Sequence, residues 1–182
     1  MKKIFAMIVI VCLMVTVLCA TAFATDGFGL IATASAISHT HDAMTYEPMG
    51  QNGLQNEGNY YLTGDVSLGD VTINGTVNLC LNGYVLTAES ITVSKGATFN
   101  VWDCGTTGHK YQSSNSGPWT SSESGDQTIE GGILRSKIVN EGTFYLKDGT
   151  ICGVNGVAIN NKATASIGEN GAVIGNYNGT KN

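Results

Sequence analysis

The chain has few basic residues, very little proline and no familiar catalytic signature. Its 182 residues include nine Lys and Arg against 14 Asp and Glu, and only two Pro. Because no basic patch exists to neutralise phosphates, the composition argues against binding to nucleic acid or to an anionic membrane surface. Nucleophile elbows, phosphate-cradling glycine loops and the aspartate-bearing nonapeptides that bind calcium are also missing. What is abundant is glycine, with 24 residues, which predicts many tight turns.

Residues 1–24 are typical of a secretory signal. Lys2 and Lys3 precede an apolar stretch from Ile4 to Leu18, and Ala22-Phe23-Ala24 supplies the small–x–small cleavage pattern. A membrane anchor is the alternative, but the apolar stretch is short and no basic stop signal follows it. Cleavage would leave seven basic against 14 acidic residues in a secreted or cell-surface chain with no membrane segment.

Short alternating apolar strands, separated by Gly, Asn or Asp, recur along the rest of the chain. The first two copies begin 20 residues apart and the last two begin 19 apart. A period near twenty with strand-type alternation predicts an all-β solenoid in which each repeat is one coil. The four copies are Val71–Gly83, Ile91–Gly105, Ile138–Gly149 and Val157–Gly168.

The repeats predict a short right-handed parallel β-helix of about four to five coils. Right-handedness is the general preference of parallel crossover connections. Residues 25–58 have weak periodicity and are interpreted as a leader and an irregular N-terminal cap, followed by the β-helix domain at 59–182. A long loop at 106–130 interrupts this domain, and such loops on a solenoid often lie on its binding face. The polar C-terminus is too short to cover the last coil, so end-to-end self-association is one expectation.

Three cysteines remain after signal cleavage. If Asn78 aligns with Asn100, Cys80 lies opposite Trp102, two positions from Cys104. The Cα atoms of the two cysteines would then be about 8 Å apart, beyond the usual disulfide window of about 4.4–6.8 Å. A Cys80–Cys104 bridge therefore needs a local shift, and buried free thiols are an equal alternative. The pairing of Cys152 stays open.

Aromatic side chains on a polar surface suggest a carbohydrate-binding role. Trp119 and Tyr111 lie in the 106–130 loop, and Trp102 would face outward from its strand. Such rings can stack on sugars, but large exposed aromatic side chains are uncommon, so the favoured interpretation is that Trp119 and Tyr111 fold back over the edge of a coil.

One cluster resembles a metal site. On a strand, His39 and His41 would share a face, with Asp42 next to them. A zinc site needs three or four ligands, and the distant His109 is the only further candidate that the pattern offers. The interpretation favoured by the sequence is a polar leader segment with no metal and no cofactor.

Carboxylates at equivalent strand ends suggest an alternative in which the protein is an enzyme. Asp103 and Asp148 would stack near each other, with Lys147 and the sole arginine, Arg135, not far away in sequence. Clustered acids with a basic residue are what a solenoid polysaccharide lyase or glycoside hydrolase requires. An Asp before Cys-Gly or Gly is more often a turn former, so we predict no catalytic residue.

Five short sequence motifs follow one another in a fixed order: Asn59–Val66, Asn78–Gly83, Trp102–Gly105, His109–Tyr111 and Glu130–Ile133. This series resembles that of a group of large secreted surface proteins of gut Gram-positive bacteria. The resemblance implies a right-handed parallel β-helix like that of pectate lyases, with functions mostly unassigned and surface adhesion or glycan binding presumed. It implies no catalytic residue. With the aromatic loop, it leads us to expect a non-catalytic binding or adhesion module whose partners are glycans or host and cell-surface molecules.

Overall fold

The computed structural model describes residues 39–50, 53–54, 57–112, 120–121 and 125–179. These residues form an all-β structure without helices. The described part of the chain therefore contains no helix that could cross a membrane. The strands are β1 (His39–His41), β2 (Met44–Pro48), β3 (Gly58–Tyr61), β4 (Val66–Leu68), β5 (Val71–Ile73), β6 (Thr76–Cys80), β7 (Val85–Val93), β8 (Thr98–Trp102), β9 (Gly108–Gln112), β10 (Thr120–Ser121), β11 (Gln127–Glu130), β12 (Ile133–Asn140), β13 (Thr143–Asn161) and β14 (Thr164–Asn178).

The strands stack as parallel coils around three sides of a β-solenoid. One side carries β3, β6, β8 and the first part of β13, each paired in parallel with the next. On the second side β4 pairs with the first half of β7, which pairs with β12. On the third side β5 pairs with the second half of β7. Successive coils make about five turns, which confirms the all-β solenoid that the twenty-residue period predicts.

Alternating apolar side chains fill the interior. Each coil contributes residues that are completely buried, and Phe99 packs against Phe144 in a neighbouring coil with ring centroids 5.8 Å apart. Burying a side chain of this size contributes about 1.5–3 kcal/mol, so the stack is held mainly by contacts between adjacent coils. The inward positions predicted from alternation and found fully buried include Leu62, Ile73, Val77, Leu79, Leu81, Ile91, Val93, Phe99, Val101, Phe144, Leu146, Ile151 and Ile159.

Two additions lie outside the coils. The segment predicted to be an irregular cap contains an antiparallel hairpin, β1–β2, whose second strand extends the first side of the solenoid through β3. The segment predicted to be a long loop contains a three-stranded antiparallel sheet with the order β10–β9–β11. We call these additions the hairpin cover (residues 39–48) and the insertion sheet (β9–β11).

Candidate metal centre

A column of outward-facing side chains runs across three consecutive coils beneath the hairpin cover. Tyr61 pairs in register with Cys80, and Cys80 pairs with Trp102. Strand alternation directs the neighbours of Cys80, Leu79 and Leu81, into the core, so this column must be covered from outside. Tyr46 from the hairpin packs on it and is only 3% exposed, with its ring centroid 6.1 Å from that of Trp102.

The hairpin turn directs two histidines toward this column. His41 pairs with Met44, which leaves Asp42 and Ala43 as a two-residue turn with φ angles of 48° and 62°. Positive φ at both central residues fits the right-handed twist of a hairpin, but Ala lacks the tolerance of glycine for that conformation. His39 and His41 share one face of β1. The ring of His39 stacks on Tyr61 at 4.5 Å, and that of His41 lies 6.0 Å from Trp102.

Cys104 reaches the same place because the chain turns sharply after β8. The buried carboxylate of Asp103 accepts hydrogen bonds from the amides of Gly83 and Gly132, at 2.7 Å each, and a longer one from Gly105. A Cβ atom on Gly105 would overlap the backbone of Gly83, so only glycine permits this close approach. The turn leaves Cys104 exposed beside the buried Cys80, with 3.5 Å between their sulfurs.

Four potential ligands therefore converge from three separate segments of the chain. One donor atom from each side chain lies within 4.8 Å of the donor atoms of the other three. The Nε2 atoms of His39 and His41 are 3.0 Å apart, and Nε2 of His39 is 3.7 Å from Sγ of Cys104. The four residues are His39, His41, Cys80 and Cys104.

These separations are close to those of a tetrahedral zinc site. Zinc–sulfur bonds of about 2.3 Å and zinc–nitrogen bonds of about 2.0–2.1 Å give tetrahedral edges of about 3.8 Å for S–S, 3.3 Å for N–N and 3.6 Å for N–S. The S–S, N–N and N–S distances of 3.5, 3.0 and 3.7 Å differ from those edges by a few tenths of an ångström at most. The other separations are no longer than 4.8 Å, so each needs to shorten by about 1 Å at most to match a tetrahedral edge.

The environment favours neutral imidazoles and protonated thiols. Burial lowers the pKa of both histidines, and the neighbouring His41 lowers that of His39 further. Burial raises the pKa of the Cys80 thiol, and the hydrogen bond with Cys104 adds to this rise. Burial likewise raises the pKa of Cys104. Neutral histidine is the form that binds metal, whereas each thiol must release a proton as it becomes a ligand.

A backbone amide supports Cys80 as a ligand. The N–H of Asn82 donates a hydrogen bond to the Cys80 sulfur, which lowers the thiol pKa against the effect of burial. Asn82 has a φ of 50° and is fixed by its side-chain amide, which donates to the carbonyl of Leu62 at 2.9 Å. Hydrogen bonds of this kind orient ligands and stabilise the thiolate.

The residues predicted to stack on sugars do not form an exposed platform. Trp102 does face outward from its strand, but the hairpin cover leaves it only 9% exposed. Tyr111 is completely buried against Ile133 and Cys152, so its ring offers no face to a ligand. Added β structure covers both rings, and for Tyr111 this agrees with the alternative in which the ring folds back over a coil. Trp119 lies outside the described residues.

The carboxylates of the enzymatic alternative act as turn formers. Asp103 is buried and bonded to three backbone amides, and Asp148 accepts a hydrogen bond from the amide of Gly149 at 2.6 Å. The ammonium group of Lys147 lies over the ring of Tyr145 at 4.9 Å. Arg135 lies on a different side of the solenoid, paired with Cys152 and Thr87.

Sequence reasoning placed His39 and His41 on one face of a strand but favoured no metal, and it did not connect the pair to the two cysteines. His109, the only further candidate, bonds instead to the carbonyl of Gly83 at 2.8 Å through its Nε2 atom. Cys80 and Cys104 complete the set of four potential ligands, whereas their sequence pattern predicts only a disulfide or buried free thiols. Their sulfurs are in contact and both cysteines are free. Comparison with protein-family models, curated proteins and solved structures finds no match.

Proposed function

We propose that this chain is an exported, non-catalytic β-solenoid binding module whose hairpin cover is closed by one zinc ion. The observation that carries the zinc site is the convergence of His39, His41, Cys80 and Cys104 within 4.8 Å. Two sulfurs and two imidazoles are the donor set that favours tetrahedral Zn²⁺ over harder cations.

A four-ligand site supports a structural role for the metal. Catalytic zinc sites keep an open position for water or substrate, whereas structural sites take all four ligands from the protein. Here the ligands come from the hairpin, from β6 and from the turn after β8. A zinc ion would thus join the N-terminal hairpin to two different coils and protect the aromatic column beneath it.

Export and surface binding complete the proposal. The apolar stretch at 4–18 and the cleavage pattern at Ala22–Ala24 support secretion, and the resemblance to bacterial surface solenoids supports adhesion or glycan binding. Within the described residues, two of the three candidate sugar-stacking rings are covered. Any glycan contact through the predicted aromatic residues would therefore depend on Trp119.

A metal titration tests the zinc site. Reduced protein titrated with Co²⁺ under anaerobic conditions should bind one ion per chain, with sulfur-to-cobalt charge-transfer bands and intense tetrahedral d–d bands. Zn²⁺ should then displace the cobalt. His39→Ala and Cys104→Ser should each weaken binding by about 100-fold or more, because each removes a direct ligand.

Matched controls distinguish the loss of a metal ligand from the loss of a histidine or cysteine elsewhere in the structure. His109→Ala removes an imidazole that bonds to a carbonyl, and Cys152→Ser removes a thiol from a different cluster. Both variants should retain the affinity of the parent. Equal losses in the ligand and control variants, or binding without sulfur charge-transfer bands, would show that the proposed zinc site is wrong.

A further inference from the structure

The two cysteine ligands are already in contact with each other. Their sulfurs lie 3.5 Å apart, whereas a disulfide bond is about 2.05 Å long. Cys80 is fixed in β6 and completely buried, while Cys104 is exposed in the turn that follows β8. A movement of about 1.5 Å by the Cys104 sulfur would therefore bring the two sulfurs to bonding distance.

We propose that Cys80 and Cys104 form a reversible disulfide that excludes zinc, so that the metal centre is also a redox switch. This inference rests on the zinc site proposed above. It adds that the same two sulfurs have an alternative covalent partner in each other, and that the oxidised and metal-bound states are mutually exclusive.

Exposure assigns different roles to the two sulfurs. The oxidant is a disulfide, either of low molecular weight or of a thiol–disulfide oxidoreductase, as an exported chain would meet. The exposed Cys104 thiolate attacks one sulfur of that disulfide, forms a mixed disulfide and releases one thiolate. The Cys80 thiolate then attacks the Cys104 sulfur, forms the intramolecular bond and releases the second thiolate.

The balance of the reaction explains why zinc leaves. Two thiolates lose two electrons to the external disulfide, which takes up two protons and becomes two thiols, and the zinc ion passes into solution. A disulfide sulfur no longer provides a thiolate donor. His39 and His41 remain, and two imidazoles are fewer than the three or four ligands that a protein zinc site requires.

The third cysteine provides an internal control. Cys152 is completely buried beside Tyr111 and Ile133, on a different side of the solenoid from Cys80. It is free, and its cluster contains no second cysteine. Oxidation of the folded protein should therefore leave Cys152 reduced.

The test measures cysteine pairing and bound zinc in the same samples. Purified protein is equilibrated in mixtures of reduced and oxidised glutathione, quenched by alkylation and mapped by peptide mass spectrometry, while zinc is measured after desalting. We expect a linked Cys80–Cys104 peptide and an alkylated Cys152, with bound zinc falling from one per chain to none as the link forms. Added dithiol should restore zinc binding.

Two variants make the outcomes distinguishable. The double variant His39→Ala, His41→Ala should lose zinc yet still form the disulfide, whereas Cys104→Ser should lose both. If the reduced parent binds no zinc, the proposed function fails regardless of the thiols. If it binds zinc but Cys80 and Cys104 do not pair, or if they pair while zinc is retained, the redox switch alone is wrong.

Discussion

The hairpin cover and the insertion sheet close two sides of one solenoid with different chemistry. Each covers a buried cysteine with a buried tyrosine, Tyr46 over Cys80 and Tyr111 over Cys152. Within the described residues, both tyrosine hydroxyls are buried without a hydrogen-bond partner. Tyr111 and Ile129 of the insertion sheet pack in an apolar cluster with Ile133. The hairpin cover instead brings two imidazoles against two thiols.

The difference shows how a solenoid can have one permanent cover and one conditional cover. Apolar burial stabilises the insertion sheet under any conditions that favour folding. The hairpin cover brings together imidazole and thiol groups that are partly removed from water, which costs free energy. A shared partner such as a metal ion would offset this cost. We therefore expect the hairpin cover to depend on metal, redox state and pH, and the insertion sheet to be indifferent to the first two.

Zinc should have the largest effect, and on the hairpin cover alone. At a free zinc concentration about 1,000 times the dissociation constant, the free energy of opening the hairpin should rise by about 4 kcal/mol. Hydrogen exchange should show slower exchange at residues 39–48 and no change in β9 or β11. Cys104→Ser should abolish the protection, and equal protection of both covers would contradict the comparison.

Replacing each thiol by a hydroxyl should produce opposite patterns. Cys152→Ser places a hydroxyl in an apolar cluster and should lower the free energy of unfolding by about 1–3 kcal/mol without affecting zinc. Cys104→Ser changes an exposed side chain and should cost less than about 0.5 kcal/mol in the metal-free protein. Chemical denaturation with and without zinc measures both, and a metal-independent cost at Cys104 larger than that at Cys152 would reverse the expected pattern.

The hairpin turn offers a smaller and more local test. Ala43 has a φ of 62°, so Ala43→Gly should stabilise the docked hairpin by about 1 kcal/mol and raise zinc affinity. Ala163→Gly is the matched control, because Ala163 lies in another exposed turn but does not have a positive φ. There the added flexibility should be neutral or destabilising. Stabilisation of the same size in both variants would remove turn strain as the cause.

Acid should have the smallest effect, because His39 and His41 are only half-buried. Their pKa values are lowered from 6.5 in the folded state, so the unfolded state binds more protons below that pH. The metal-free hairpin should therefore lose stability as pH falls below about 6.5. Trp102 fluorescence in a Trp119→Phe background should report this loss. If the double variant His39→Ala, His41→Ala loses stability at low pH as the parent does, the imidazoles are not the cause.

High pH should lower the stability of the insertion sheet. Burial raises the pKa of Cys152 from 9.0 to about 12 and that of Tyr111 from 10.0 to about 12. Their contribution to stability is complete below pH 9 and is lost as pH rises through the folded values. The rate of Cys152 alkylation, compared with that of the unfolded chain at each pH, should show this opening. An insertion sheet that opens instead below pH 6.5 would contradict the account.

The repeats alone predicted much of the solenoid. The alignment of Asn78 with Asn100 correctly placed Cys80 opposite Trp102. In the structure the side-chain amide of Asn100 donates a hydrogen bond to that of Asn78 at 2.8 Å. This worked because strand alternation and coil length are local properties of the sequence, and stacking converts them directly into register.

The metal centre lay beyond that reasoning because its ligands are distant in sequence. His39 and Cys104 are separated by 65 positions, and nothing in the local pattern indicates that the hairpin folds over the column at Cys80. The distance of about 8 Å estimated for the cysteines also assumed that the strand continues past Trp102. In the structure β8 ends at Trp102, and the Asp103-centred turn directs Cys104 toward Cys80.

X-ray absorption spectroscopy at the zinc edge of the reduced, zinc-loaded protein tests the central claim most directly. The proposed centre predicts two sulfur ligands at about 2.3 Å and two nitrogen ligands at about 2.0–2.1 Å. Cys104→Ser should lose one sulfur from that shell, while Cys152→Ser should leave it unchanged. A shell of oxygen and nitrogen alone in the parent protein would contradict the assignment of Cys80 and Cys104 as ligands.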